Sequence, residues 1–311
     1  MTIEMKRSVA AACVLGLVLS TGTMAAVAKG STNVIDDQLW YLMADVNAEL
    51  EFQGVDVRLE KIEYLTGADE AGRTVFFSDV GNKRLPEHFV PFDPRRVDWS
   101  GPAGPGDDIT WTSDLTQGDA GVGLAATQAA IDNAMATWQQ VRCSNLPLTR
   151  VGAPGDVGFL EFLLSGGASG SPIPVADIVQ AGFFTVVDAE LPPPIIGATF
   201  TFLFADDNGN PTDIDNNGRL DVAFREIYYT GNFPLGLGTP DTIDIETLVL
   251  HETGHGLSQG HFGKAFGTDA NGKLHFAPRA LMNAGYTGVQ REVGKTDNGG
   301  HCSIWAAWPN H

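Results

Sequence analysis

The chain has 311 residues, of which 43% are hydrophobic, and it carries 38 acidic against 19 basic side chains. This length and apolar content can form one large domain or two small ones with buried cores. The formal net charge of −19 at pH 7 argues against nucleic-acid and anionic-membrane partners, because both are polyanions that repel an acidic surface.

The N-terminus has the features of a secretory signal peptide over residues 1–28. Lys6 and Arg7 form its basic start, an apolar stretch covers about residues 9–19, and an A-V-A tripeptide at 26–28 forms a cleavage site. The apolar stretch is too short for a membrane span. We therefore predict a secreted protein, extracellular or periplasmic, with no stable membrane insertion after signal cleavage.

Residues 29–95 are predicted to form a small α+β region, either a propeptide or a fixed N-terminal subdomain. Apolar residues at helical spacing predict a helix over 36–52, and alternation predicts a strand over 55–65. A second strand is expected at 73–77. A loop rich in Pro, Gly and Asp follows over about 91–108 and separates this region from the rest of the chain.

The segment 96–311 is predicted to be the main domain, and it begins with a strand near residue 109. The strongest helical pattern covers residues 122–141, where apolar residues recur at helical spacing. Further strands are expected at 176–184 and 198–205. In the second of these, Phe and Thr alternate, as they do in a half-buried strand.

An acidic run at 206–221 reads DDNGNPTDIDNNGRLD. Oxygen-bearing residues at alternate positions, followed by a glycine, resemble the first half of an EF-hand-like calcium loop. The EF-hand glutamate would fall at Phe224, so a full EF-hand is absent. The alternative is a solvated polar loop, which the same residues favour. The candidate calcium ligands are Asp206, Asp207, Asn208, Asp213, Asp215, Asn217 and Asp221.

The most informative segment reads HETGHGLSQGH and begins at His251. His251 and His255 are four residues apart, so on a helix they lie on one face and reach one metal ion. Glu252 projects about 100° around the helix and can hold a water without binding the metal. His261 follows as the third candidate ligand. Three nitrogen ligands with an open fourth position indicate a hydrolytic zinc site rather than a structural one.

Two segments resemble a known family. HETGHGLSQGH is similar to the long zinc signature of the metzincin metalloproteases, and RALMNAGY at 279–286 resembles the Met-turn of the matrixin branch of that clan. The signature departs at Ser258, where the family has a glycine that permits a sharp turn. If the structure differs locally from the family, we therefore expect the difference in the path from His255 to His261, where Gly260 can form part of the bend.

The resemblance implies an α+β fold: a twisted mixed sheet packed on two long helices, an active-site cleft and a small, mostly irregular C-terminal subdomain. It also implies a zinc-dependent endopeptidase that uses a zinc-activated water, with Glu252 as general base and calcium as a structural ion. Met282 would lie beneath the zinc, and Tyr286 would form a wall of the substrate pocket. A protein or peptide substrate would pair in extended form with the strand at 198–205.

The cysteines bear on both processing and stability. Matrixin relatives often carry an inhibitory segment whose cysteine caps the zinc, but no cysteine lies between Cys13 and Cys143, so that device is absent. In an oxidising compartment, Cys143 and Cys302 either pair and tie an early helix to the C-terminal tail or remain two buried thiols. The sequence leaves both outcomes open.

Two other functions remain compatible with the sequence. A thermolysin-like enzyme takes an acid as its third zinc ligand, and Glu292 is the only glutamate after Glu252. A secreted, calcium-braced binding module would instead hold a non-catalytic zinc, closed by a fourth ligand from His275, His301 or His311. The sequence names neither the substrate nor the oligomeric state.

Overall fold

The computed structural model describes residues 33–310, apart from 68–69, 97–105, 115, 117, 119–120, 153–154, 187–190 and 269–272. The predicted signal peptide lies outside the described residues. The described residues are of the predicted α+β class. The helices are α1 (Val34–Gln53), α2 (Gly123–Gln139), α3 (Phe159–Leu164), α4 (Ile245–Gly256) and α5 (Lys295–Trp305). The strands are β1 (Val57–Thr66), β2 (Thr74–Phe76), β3 (Glu87–His88), β4 (Ile109–Ser113), β5 (Leu148–Arg150), β6 (Ile178–Phe183), β7 (Ile195–Phe204), β8 (Leu220–Tyr229), β9 (Leu235–Gly236), β10 (Ile243–Asp244), β11 (Lys264–Gly267) and β12 (Leu274–Ala277).

A mixed eight-stranded sheet forms the centre of the fold. Its strand order is β2-β1-β7-β8-β6-β4-β5, and β3 pairs with β8 outside that path. The pairs β5–β4, β4–β6 and β6–β8 are parallel, whereas β7 is antiparallel to both β8 and β1. The mixed sheet agrees with the prediction. No helix in the described part of the chain is long and apolar enough to span a bilayer.

The two faces of the sheet carry different helices, because alternate residues of a strand point to opposite faces. One face packs against α2 and α4 through a cluster that includes Trp138 and Leu248. The other packs against α1 and α3 through a cluster that includes Met43 and Leu160. The two long helices of the prediction are therefore α2 and α4, and α1 is a further helix on the opposite face.

Strand β1 comes from the predicted N-terminal region but lies inside this sheet. It pairs antiparallel with β7 from Val57 opposite Phe204 to Thr66 opposite Ile195. Helix α1 holds β1 from the other side, because the Asn47 side chain accepts a hydrogen bond from the Leu59 N–H and donates one to the Leu59 carbonyl. Residues on both sides of the predicted boundary near residue 95 therefore share one sheet.

Helix α5 was not predicted from the sequence. Its segment contains Gly299 and Gly300, and each glycine weakens a helix by about 1 kcal/mol relative to alanine. Tertiary contacts compensate for this low propensity. The Asp297 carboxylate accepts hydrogen bonds from the backbone N–H groups of Leu281, Met282 and Gly294, and a disulfide joins Cys302 to Cys143.

The Cys143–Cys302 disulfide realises the first of the two outcomes that the sequence left open, and it supports a stability prediction. The bond closes a loop of 159 residues, so replacing both cysteines by serine is expected to lower the free energy of unfolding by about 2–5 kcal/mol. Urea unfolding measures this loss. Reductant should destabilise the wild-type chain by a similar amount and leave the double variant unchanged; an unchanged wild type would contradict the prediction.

Candidate metal centre

Helix α4 begins at a well-defined N-cap. The Asp244 carboxylate accepts hydrogen bonds from the Thr247 N–H at 3.0 Å and the Thr247 hydroxyl at 2.7 Å. Arg291 binds the same carboxylate at 2.6 Å. Every residue of α4 except Glu246 is buried. The helix is therefore fixed at its start and packed along its length, which sets the positions of the side chains on its next turns.

The three predicted histidines converge on one point. The Nε2 atom of His255 lies 3.1 Å from the Nε2 atoms of both His251 and His261. The Nδ1 atoms of His251 and His255 lie 2.7 Å from the carbonyl oxygens of Leu281 and Gln259, respectively. A carbonyl only accepts hydrogen bonds, so each of these Nδ1 atoms carries a proton, and Nε2 is the atom of each ring that can bind a metal ion.

This convergence fits a metal ion. Nitrogen lone pairs that converge in this way repel one another unless a proton or a metal ion lies between them. Tetrahedral zinc with Zn–N distances of 2.0–2.1 Å places its nitrogen ligands about 3.3 Å apart, close to the separation found here. Burial and the neighbouring His255 also lower the pKa of His251 to about 3, which favours the neutral, metal-binding form.

The turn into His261 forms despite the departure from the family signature. Ser258 adopts the left-handed conformation, with φ of 65°, that glycine takes at low cost. The buried Arg225 guanidinium donates hydrogen bonds to the Ser258 hydroxyl at 2.9 Å and to the Gly256 carbonyl at 3.0 Å. The bend therefore falls on Ser258 itself rather than on Gly260, and Arg225 holds it.

Glu252 lies beside the histidines with one carboxylate oxygen free. Its Oε2 accepts a hydrogen bond from the Thr199 hydroxyl at 2.8 Å, whereas Oε1 is buried without a partner. A Cβ added at Gly197 would lie 2.8 Å from Oε1, so glycine is required for this approach of β7. Burial raises the pKa of Glu252 to about 7. A free carboxylate oxygen in this position can accept a proton from a water molecule.

Met282 packs directly against helix α4. A Cβ added at Gly254 would collide with the Met282 sulfur and would lie 2.9 Å from Trp138, which explains the glycine between the two helical histidines. Asp297 binds the N–H groups of Leu281 and Met282, and the Leu281 carbonyl orients His251. The segment predicted as a Met-turn is thus tied to the metal centre.

Tyr286 lines a cavity of about 470 Å³ together with Phe233, Ile243 and Val289. Its hydroxyl accepts a hydrogen bond from the Asp244 N–H at 3.0 Å, which fixes the ring beside the start of α4. This position is compatible with the predicted pocket wall.

Glu63 is a further charged residue at the centre, and sequence reasoning missed it. Its Oε1 lies 3.4 Å from the His255 Nδ1, and Lys61 binds its other oxygen at 3.0 Å. Although burial opposes ionisation, the charges of His255 and Lys61 hold the pKa of Glu63 well below its ordinary value. The buried negative charge favours a cation among the histidines. Glu63 belongs to β1, so no local sequence signal links it to the zinc motif.

The acidic run forms a second cluster. The carboxylates of Asp213, Asp215 and Asp221 each offer an oxygen within 4.8 Å of the others. The Asp221 Oδ1 is buried without a hydrogen-bond partner. Asn217 belongs to the same loop and donates a hydrogen bond to Asp215. These residues can supply part of a calcium site.

The remaining predicted calcium ligands lie outside this cluster. Asp206 and Asp207 are not among the clustered acids. Asp206 instead closes its own turn, because its Oδ1 accepts hydrogen bonds from the N–H groups of Asn208 and Asn210 at 2.9 Å. Local turn chemistry therefore uses the side-chain oxygens that the spacing alone assigned to a metal.

The alternative zinc ligands lie elsewhere in the described structure. His301 contacts the Ser144 hydroxyl at 2.9 Å and stacks on Trp138, and His275 stacks on Phe266. Glu292 is exposed and is not part of the histidine cluster. His311 lies outside the described residues. Within the described residues, the third position is thus filled by His261.

No protein-family model matches the chain, and no curated protein matches it either. The functional assignment therefore depends on the geometry of the site.

The geometry makes a direct prediction about metal binding. We expect the wild-type chain to bind one divalent metal ion at this centre, with zinc as the ion used in the measurement. His261→Ala should weaken binding by at least about 100-fold, because loss of a ligand costs more than loss of the outer partners that orient it. Competition with a chelator measures the affinity, and His275→Ala serves as a control that should bind normally. Wild-type affinity in His261→Ala would instead favour an acidic third ligand.

Proposed function

We propose that this protein is a secreted, zinc-dependent endopeptidase. The observation that carries the proposal is the free, buried carboxylate oxygen of Glu252 beside three converging imidazole lone pairs. The N-terminal signal pattern and the disulfide support secretion.

Zinc bound by the three histidines would supply a Lewis acid that polarises a peptide carbonyl and lowers the pKa of a water molecule. Glu252 accepts the proton of that water through Oε1 and then transfers it to the leaving amine. Thr199 holds the carboxylate in place through Oε2. The carbonyls of Leu281 and Gln259 keep two of the rings in the tautomer that binds a metal.

Strand β7 borders Glu252 through Gly197 and Thr199. The family resemblance assigns an extended peptide substrate to this strand, but β7 is paired with β1 on one side and with β8 on the other, so a peptide could add to it only if β1 left. A non-catalytic zinc normally has a closed fourth position. The described histidines that would close it, His275 and His301, contact other residues. We therefore favour an enzyme over a binding module.

Calcium is proposed as a structural ion at Asp213, Asp215 and Asp221. This loop connects β7 to β8, and both strands border the centre. A cation there would neutralise Asp213 and Asp215 and could bind the free Oδ1 of Asp221, whose other oxygen pairs with Arg95 at 2.8 Å.

Replacing the proton acceptor tests the enzymatic proposal. Glu252→Gln keeps the size of the side chain but removes its basicity, so hydrolysis of an unfolded protein should fall about 10²- to 10⁴-fold while zinc remains bound. Glu246→Gln, in the first turn of the same helix, should retain wild-type activity. Full activity in Glu252→Gln, with zinc content measured in the same samples, would overturn the mechanism.

Calcium binding is tested by stability. A ligand that binds only the folded chain stabilises it by about 2.7 kcal/mol at 100 times its Kd. We expect calcium to raise the Tm of the wild type and of Asp207→Asn, but not of Asp215→Asn. Thermal unfolding with calcium or with a calcium chelator gives the comparison. Equal calcium responses in all three chains would place any calcium elsewhere.

A further inference from the structure

The candidate centre is buried except on the side of His261, which lines a cavity of about 250 Å³ together with Met282, although an endopeptidase must admit a chain to its proton acceptor. The exposed fraction is 0% for Glu252 and His255 and 1% for His251. Only His261 is partly exposed. Neighbouring segments of the chain therefore cover Glu252. Strand β7 borders Glu252, and strand β1 pairs with β7.

Strand β1 occupies the edge of β7 at the residues that lie nearest to Glu252. Gly197 and Thr199 are the residues of β7 that contact the Glu252 carboxylate. In the register of the sheet, Leu65 is the partner of Gly197 and Glu63 is the partner of Thr199. The edge to which an extended peptide would add is therefore already paired at the positions nearest the centre.

The C-terminal end of β1 is bound on its other side as well. Thr66 bridges to Gly285, and its carbonyl accepts a hydrogen bond from the Tyr286 N–H at 2.9 Å. The Gly72 N–H donates to the Ala284 carbonyl at 2.5 Å. The chain around Thr66 thus lies between β7 and the segment that follows Met282, with backbone hydrogen bonds to both walls.

The side chains of β1 complete this arrangement. Leu65 is buried in the same cluster as Ile196 and Leu248, so it fills apolar space beside α4. Glu63 lies on the same face, two residues earlier, and approaches His255. Tyr64 points to the opposite face, where its hydroxyl donates a hydrogen bond to Asp36 in α1. One face of β1 is therefore directed at the centre, and the other is held by α1.

We infer that residues 57–66 keep the proposed endopeptidase latent by occupying the groove between β7 and residues 284–286. This inference rests on the proposed function, because it assigns that groove to an extended peptide. The device is a paired strand with a buried leucine. It requires no cysteine, in agreement with the absence of cysteine between Cys13 and Cys143. Activity requires that β1 leaves β7.

The chain offers a place to release β1. The segment between β2 and β3 is exposed at Val80 and Leu85. A cut there leaves α1, β1 and β2 bound only by non-covalent contacts, because the Cys143–Cys302 disulfide lies outside them. Pairing of β1 with β7 then becomes an association between two fragments, which dilution opposes.

The test uses the full chain with a site for a sequence-specific protease inserted between Gly81 and Asn82. The control carries the same site between Gly166 and Gly167, in an exposed loop after α3. The probe is a tetrapeptide hydroxamate, which needs both the metal and the strand edge. Its binding to the cobalt-loaded chain is followed by visible absorption, and hydrolysis of an unfolded protein is measured in parallel on the zinc-loaded chain.

We expect a cut at 81/82 to raise the affinity for the tetrapeptide hydroxamate at least about tenfold, because a groove that is open in a tenth of the molecules binds about tenfold more weakly than one that is always open. The cut at 166/167 should change nothing. If affinity rises but neither form hydrolyses protein, the occlusion stands and the proposed enzymatic function fails. If the fragment leaves and the affinity is unchanged, the inference is wrong.

A second measurement does not depend on release of the fragment. In the intact chain, saturating tetrapeptide hydroxamate should increase hydrogen–deuterium exchange of the β1 amides, because probe and strand compete for one edge. Unchanged protection of β1 with the probe bound would overturn the inference. Asn47→Ala, which removes both hydrogen bonds from α1 to Leu59, should raise the affinity for the probe about threefold to tenfold. Asp45→Ala, on the exposed face of α1, is the matched control.

Discussion

The orientation of two imidazole rings by backbone carbonyls is the constraint on which the candidate centre depends. Leu281 and Gln259 belong to segments that follow α4, and each carbonyl fixes the proton on the ring that it contacts. The Leu281 carbonyl is itself positioned through Asp297 of α5, and α5 is anchored by the disulfide. The histidine cluster is therefore the end of a chain of contacts that reaches the C-terminal helix.

Local patterns of the sequence predicted the parts of the centre that lie within one helix or one turn. The four-residue spacing of His251 and His255 follows from helix geometry, and the position of Glu252 follows with it. The α+β class and most of the helices and strands could also be predicted, because their apolar residues follow a helical or an alternating period. These features depend on neighbours in sequence.

The parts that could not be predicted depend on contacts between distant segments. Arg225 stabilises Ser258 from 33 residues away, and no motif links the two. Glu63 reaches His255 only because β1 pairs with β7. Helix α5 forms despite its two glycines because Asp297 and the disulfide stabilise it. A single sequence carries no signal for such pairings, since propensity and periodicity describe only local structure.

The acidic loop shows how turn chemistry competes with metal binding. Carboxylate oxygens that bind backbone N–H groups stabilise a turn without any ion, as Asp206 does. Asp221 differs because one of its oxygens is buried and free. Asp213 and Asp215 accept hydrogen bonds from the backbone N–H groups of Asn217 and Gly218, so the same oxygens can serve a turn or a metal ion, and spacing alone does not distinguish the two uses.

Strand β1 has a second role that follows from its other face. Leu59, Ile62 and Tyr64 share a buried cluster with Phe200 and Phe202 of β7. Departure of β1 would expose this aromatic surface to water and leave β7 as a bare, hydrophobic edge, which is a known hazard for aggregation. If β1 acts as proposed, the released form would therefore persist for a shorter time than the intact one, and the same contact would set both the onset of activity and the lifetime of the active molecule.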